Sequence, residues 1–172
     1  MNFTPDQLAA MTDRDLLVEE YVVVHHTAAT EMNEDIVDIS QEEMRDQGFI
    51  AVGYHFVIHG DGTVQIGRPI EKVPAANLGL NTPSVAIAFE GNFQSNDVNY
   101  SGEQPTDAQF DTFVRIVNTW IKPKCKNIKY LIGHRDVATL VNTPGDATAC
   151  PGDLLYAHLD SLRSQTQLGY PA

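Results

Sequence analysis

Cysteine is scarce in this chain. Two cysteines in 172 residues, Cys125 and Cys150, cannot build a disulfide framework. Basic residues are also few. Eleven Lys and Arg face 23 Asp and Glu, for a net charge of −12. Without a basic patch to displace phosphate counterions, nucleic acid is a poor partner. The same charge disfavours unaided binding to an anionic surface. No apolar run is long enough to span a bilayer, so membrane insertion is not expected. The opening "MNFTPDQLAAMTDRDLLVEE" has no basic segment followed by an apolar one, so no secretory leader is read. There is no internal repeat and no low-complexity tract.

What remains is a chain long enough for one domain with a sizeable core, at 42% hydrophobic residues. Helix starts are marked by capping signals. Thr4-Pro5-Asp6-Gln7 predicts a helix to about Glu19, and Ser40-Gln41-Glu42-Glu43 a short one ending near Gly48. Thr106-Asp107-Ala108-Gln109 opens a third, whose Phe110, Phe113, Val114, Val117 and Ile121 fall on one face. A fourth is expected from Pro151 through "GDLLYAHLDSLRSQ". Strands are expected at "YVVVHH", "AVGYHFVI", "TVQIGR", "SVAIAFEGNF" and "IKYLIGH", with "HGDG" as a hairpin turn. The expected fold class is α/β: a single domain over 1–172 with a central mixed sheet flanked by helices. Its core is placed at about 20–165, with a polar loop at "QSNDVNYSGEQP" and a frayed tail from about 166 to 172.

Two adjacent histidines close the first strand, in "VVVHHTAAT". Successive strand residues point to opposite faces, so His25 and His26 cannot both enter one site. His134 closes the fifth strand, and Cys150 precedes the last helix, whose N-terminus would favour a thiolate. Two imidazoles and a thiolate suit zinc, and three protein ligands leave the fourth position that catalysis needs. Spacing alone leaves open a bland alternative, in which the histidines are satisfied polar groups and Cys150 is a small core residue.

Five blocks occur in order across Tyr21 to Tyr156: "VVVHHTAAT", "GYHFVIHGDGTVQIGRP", "SVAIAFEGNF", "LIGHRDV" and "TACPGDLLY". Together they resemble the type 2 zinc amidases, the N-acetylmuramoyl-L-alanine amidases of the peptidoglycan-recognition and phage-lysozyme type. The resemblance implies one Zn2+ per chain on His25, His134 and Cys150. It implies catalytic roles for Tyr54, in "GYHF", and for Thr148, two residues before Cys150. His26 and His55 then take structural roles on the opposite faces of their strands, and His59 is expected to be solvated.

Two departures from the family pattern stand out. Asn77 occupies the segment where relatives commonly carry a histidine, and Asn81 matches an asparagine frequent nearby; both are assigned to substrate binding. Glu90 stands where many relatives are apolar. It is a candidate general base, weighed against a rim or salt-bridge role. The implied reaction is hydrolysis of the amide between N-acetylmuramic acid and L-alanine, with peptidoglycan or a muropeptide as partner and a monomer assumed. The implied setting is a chain made in a cytoplasm, the host's for a phage protein, and acting on the cell wall in the manner of an endolysin. Three other readings are weighed. A non-catalytic peptidoglycan receptor would typically lack a zinc ligand. A thiol hydrolase built on Cys150 and His134 leaves His25 without a task. A structural zinc module needs a fourth ligand, for which Asp136 is the first suspect.

Overall fold

The computed structural model describes residues 2–28, 39, 48, 50–95, 103–142 and 147–172. The helix expected from Ser40 to near Gly48, Gly48 itself apart, and the middle of the polar loop lie outside the described residues. Five strands form one mixed sheet: β1 (Tyr21–His26), β2 (Phe56–Ile58), β3 (Val64–Ile66), β4 (Ser84–Phe89) and β5 (Tyr130–Gly133), in the order β3-β2-β4-β1-β5. β1 runs parallel to β4 and to β5, and β2 parallel to β4; β2 and β3 form the antiparallel hairpin expected around "HGDG". The central strands read as continuous β-branched and apolar runs because both faces are covered. Every residue of β4 is buried.

One face carries Val22, Val24, Val85, Ile87, Phe89, Phe56 and Leu131 against a helical layer. That layer contains α2 (Asp107–Ile116), capped by the expected reciprocal pair Thr106 and Gln109, and continued by a π-helical turn, Val117–Ile121. Phe113, Ile116, Val117 and Ile121 face the core, close to the stripe that the sequence predicts. The opposite face buries Val23 and Ile132 beside α3 (His134–Leu140), and Val57 and Ala88 beside Tyr54.

Several boundaries differ from expectation. β2 keeps only Phe56–Ile58 of the strand expected at "AVGYHFVI", so Tyr54 and His55 precede it, and β4 ends at Phe89. The first helix, α1 (Pro5–Ala10), stops well before Glu19. Thr12, Asp13 and Asp15 are poor helix formers, and Asp15 closes a local turn by accepting the amide of Leu17. Arg14 instead enters the interior, where it pairs with the buried Glu19 at 2.9 Å and donates to the carbonyl oxygens of Ile70 and Thr82. The last helix is two: α4 (Asp153–Tyr156) and α5 (Leu159–Thr166). The tail expected to fray is docked as far as Gly169. Leu168 is buried, and Gly169 exchanges backbone bonds with Lys129 and Leu131 at 2.8 and 2.9 Å.

Candidate metal centre and active site

Strand register brings the two histidines together. Val24 of β1 lies opposite Gly133 of β5, so the next residues, His25 and His134, leave neighbouring parallel strands at the same level. Their rings lie 4.6 Å apart between centroids. Cys150 arrives from outside the sheet, in the segment before α4. Its carbonyl oxygen accepts the amide of Arg135, and its Sγ accepts the amide of His26 at 3.5 Å. Arg135 also donates to the Ala149 carbonyl and pairs with Asp153 at 2.9 Å, clamping this segment to α3.

One ligand atom from each of His25, His134 and Cys150 lies within 4.8 Å of the other two, the single such group among the described residues. The Nδ1 of His25 stands 3.7 Å from Sγ of Cys150. Tetrahedral zinc with ordinary Zn–N and Zn–S bonds separates such atoms by about 3.6 Å, so the donor set and its spacing fit zinc. Burial, then the neighbouring His134, holds His25 well below the ordinary imidazole pKa, which leaves it a neutral ligand. Asp136 is not a fourth donor: its carboxylate accepts from the Gly133 amide at 2.9 Å and the Tyr156 hydroxyl at 2.6 Å.

Burial pushes the metal-free Cys150 thiol up to about 12. The expected help from a helix N-terminus is not there, because α4 is only four residues long and begins three residues on. A protonated, desolvated thiol is a poor nucleophile. It becomes a good ligand once a cation is present to oppose desolvation.

Tyr54 lies beside the centre, its ring 5.1 Å from that of His25. Thr148 is half-buried, and its hydroxyl oxygen accepts the Cys150 amide at 3.1 Å, which leaves the hydroxyl proton for donation. His26 faces the other side of the sheet, where its Nδ1 accepts the amide of Phe93 at 3.3 Å. His55 is wholly buried and accepts the Ala86 amide on Nδ1.

Other residues sit elsewhere than expected. Glu90 is bound to the β2–β3 hairpin, accepting from Gly60 at 3.2 Å and pairing with His59 at 3.0 Å. This is the salt-bridge alternative rather than the general-base one. His59 is correspondingly enclosed rather than solvated. Asn77, assigned to substrate, is fully buried, its amide held between His25 and Ser84 at 2.8 Å each. Asn81 turns inward as well, accepting the amides of Ala76 and Asn77. Cys125 is a buried free thiol.

The family model for N-acetylmuramoyl-L-alanine amidase (Amidase_2) matches residues 16–153. The chain belongs to this amidase family. Among its relatives, peptidoglycan-recognition protein 2 of Holotrichia diomphalia is 32% identical over 86% of this chain and 75% of its own length. An endolysin of Enterobacteria phage K11 is 34% identical over 46% of this chain and 55% of its own. Among solved structures, the amidase LysC from Clostridium intestinale URNW superposes with a TM-score of 0.74 at 26% identity, covering 98% of this chain and 96% of that one. Amidase-family membership narrows the chemistry to peptidoglycan, either cut or bound. It also gives the His25, His134 and Cys150 cluster a family context as a candidate metal centre.

Proposed function

We propose that this chain is a zinc-dependent N-acetylmuramoyl-L-alanine amidase, acting on the cell wall in an endolysin-like manner. It hydrolyses the amide that joins the lactyl group of N-acetylmuramic acid to L-alanine. The observation that carries this reading is the convergence of His25, His134 and Cys150, with 3.7 Å between Nδ1 and Sγ, beside Tyr54. Zinc held by these three ligands supplies Lewis acidity, which polarises a carbonyl and lowers the pKa of water.

The side chains do the rest. His25 stays neutral through burial and keeps its lone pair for ligation. Tyr54 is a hydroxyl donor for the scissile carbonyl oxygen as negative charge develops there. Thr148 adds a second, neutral donor while fixing the Cys150 backbone. The Arg135 clamp keeps the Cys150 segment in register with His134. A receptor that only binds peptidoglycan has no use for a complete three-ligand set, which favours the enzyme.

The test is digestion of isolated peptidoglycan, with the products resolved by mass spectrometry. Stem peptides with free L-alanine amino termini, beside intact glycan, are expected. Tight binding to peptidoglycan with no such peptides would establish the receptor reading instead.

A further inference from the structure

Asn77 is wholly buried next to His25, and every polar atom of its side chain is engaged. We infer that Asn77 is a positioning residue that fixes the tautomer of His25, placing the proton on Nε2 and leaving Nδ1 free to ligate. The inference rests on the zinc reading above.

The direction of each bond in the chain can be followed. Ser84 opens β4, and its single hydroxyl proton goes to the carbonyl oxygen of Asn81 at 3.2 Å. The Ser84 oxygen is then left to accept, and it does so from the amide nitrogen of Asn77 at 2.8 Å. That orients the Asn77 amide with Oδ1 toward His25. An amide oxygen only accepts, so the His25 Nε2 at 2.8 Å must carry the proton. In a neutral imidazole the other nitrogen, Nδ1, then has a bare lone pair, and this is the nitrogen that faces Cys150.

The loop that carries Asn77 is itself pinned. Asn81 accepts the amides of Ala76 and Asn77 at 3.1 and 2.7 Å, and Leu80 donates to the Asn77 carbonyl at 2.8 Å. Metal-bound histidines commonly have their second nitrogen held in this way by a carboxylate or carbonyl oxygen, and losing that partner costs about 10- to 100-fold in affinity or activity. Here a neutral amide fills the role, which makes no demand on pH and leaves the site without an added negative charge.

The wild-type protein provides the first test. Stripped of zinc and labelled with 15N, it should show the His25 proton on Nε2 in long-range 1H–15N correlations. A proton on Nδ1 would overturn the inference. The second test measures the zinc dissociation constant, by chelator competition, for wild type, Asn77→Leu and Asn77→Asp. Leucine cannot accept from Nε2–H, and we expect zinc binding weakened roughly 10- to 100-fold with the tautomer bias lost. Aspartate accepts from the same N–H, with the Ser84 hydroxyl turned to donate to its other oxygen, and is expected to retain the tautomer and at least wild-type affinity. Equal affinity in all three would overturn the assignment. If Asn77→Leu does not fold, the wild-type spectrum still decides it. A wild type that takes up no zinc would sink the zinc reading, while the tautomer measurement would still decide the role of Asn77.

Discussion

Gly152 lies two residues beyond the candidate ligand Cys150, and replacing it with alanine should damage both fold and metal site. Its backbone sits at φ 86° and ψ 150°, a region essentially reserved for glycine. An added Cβ would meet the Phe93 carbonyl carbon at 2.4 Å, its oxygen at 2.6 Å and the Gln94 nitrogen at 2.8 Å. These are backbone atoms and cannot swing aside. Side chains in this region cost about 1–3 kcal/mol, and overpacking against fixed atoms adds a similar amount, so about 3 kcal/mol is expected. With a urea slope of about 2 kcal/mol per M, the unfolding midpoint should fall by about 1.5 M.

The metal site should suffer more than the fold. Carbon atoms in ordinary contact are about 3.5 Å apart or more, so relieving the clash moves the segment by about 1 Å. Metal–ligand distances tolerate only about 0.2 Å. Zinc affinity should fall at least about 10-fold, as measured by chelator competition on folded Gly152→Ala protein. Gly60→Ala is the matched control, because a Cβ there meets nothing within 4 Å. Unchanged midpoint and unchanged zinc affinity in Gly152→Ala would refute this reasoning.

Other predictions follow from the same geometry. Cys150→Ser exchanges a soft thiolate for a weakly acidic hydroxyl and should lose both stoichiometric zinc and peptide release, read by metal analysis and digestion. Tyr54→Phe should keep its zinc yet lower kcat by about 10²- to 10³-fold if the phenol stabilises developing charge; an unchanged kcat would remove Tyr54 from the mechanism. His55 is wholly buried, and burial, with the nearby Arg14, depresses its pKa from 6.5 to about 3. The unfolded chain takes up that proton near pH 6.5 and the folded chain does not, so the His55 contribution to stability is complete above 6.5. It declines as the pH drops below that value, by about 1.4 kcal/mol per unit, until the folded group titrates near 3. Between pH 8 and pH 5, urea unfolding of zinc-free protein should therefore lose about 2 kcal/mol from this group. Replacement by Gln, which can accept from the Ala86 amide and donate to the Lys72 carbonyl, should remove this group's share of the slope.

Much of the site is legible in the sequence because each candidate ligand ends, follows or precedes a recognisable element. The β-branched run "YVVV" announces β1, and strand alternation alone separates His25 from His26. The capping pairs at Thr4 and Thr106 locate two helix starts. The interior polar network is not legible. Nothing in "TDRDLLVEE" says that Arg14 and Glu19 pair inside the protein and end the first helix early. Nor does spacing reveal that Asn77 turns toward His25, since that depends on β4 presenting Ser84 from across the loop. Glu90 and His59 escape a sequence reading for a related reason: each looks exposed along the chain, and each is enclosed because the hairpin brings them together. The four-residue α4 also removes the helix electrostatics that the sequence suggests for Cys150, because the leucine-rich stretch from Leu154 to Leu162 conceals a break.

The most direct test of the account is metal dependence measured on one sample. Purified protein is analysed for zinc, stripped with a strong chelator, assayed on peptidoglycan for new L-alanine amino termini, and assayed again after zinc is restored. The account predicts about one zinc per chain, loss of release on stripping, and recovery with zinc. Release that persists in the stripped protein would contradict it.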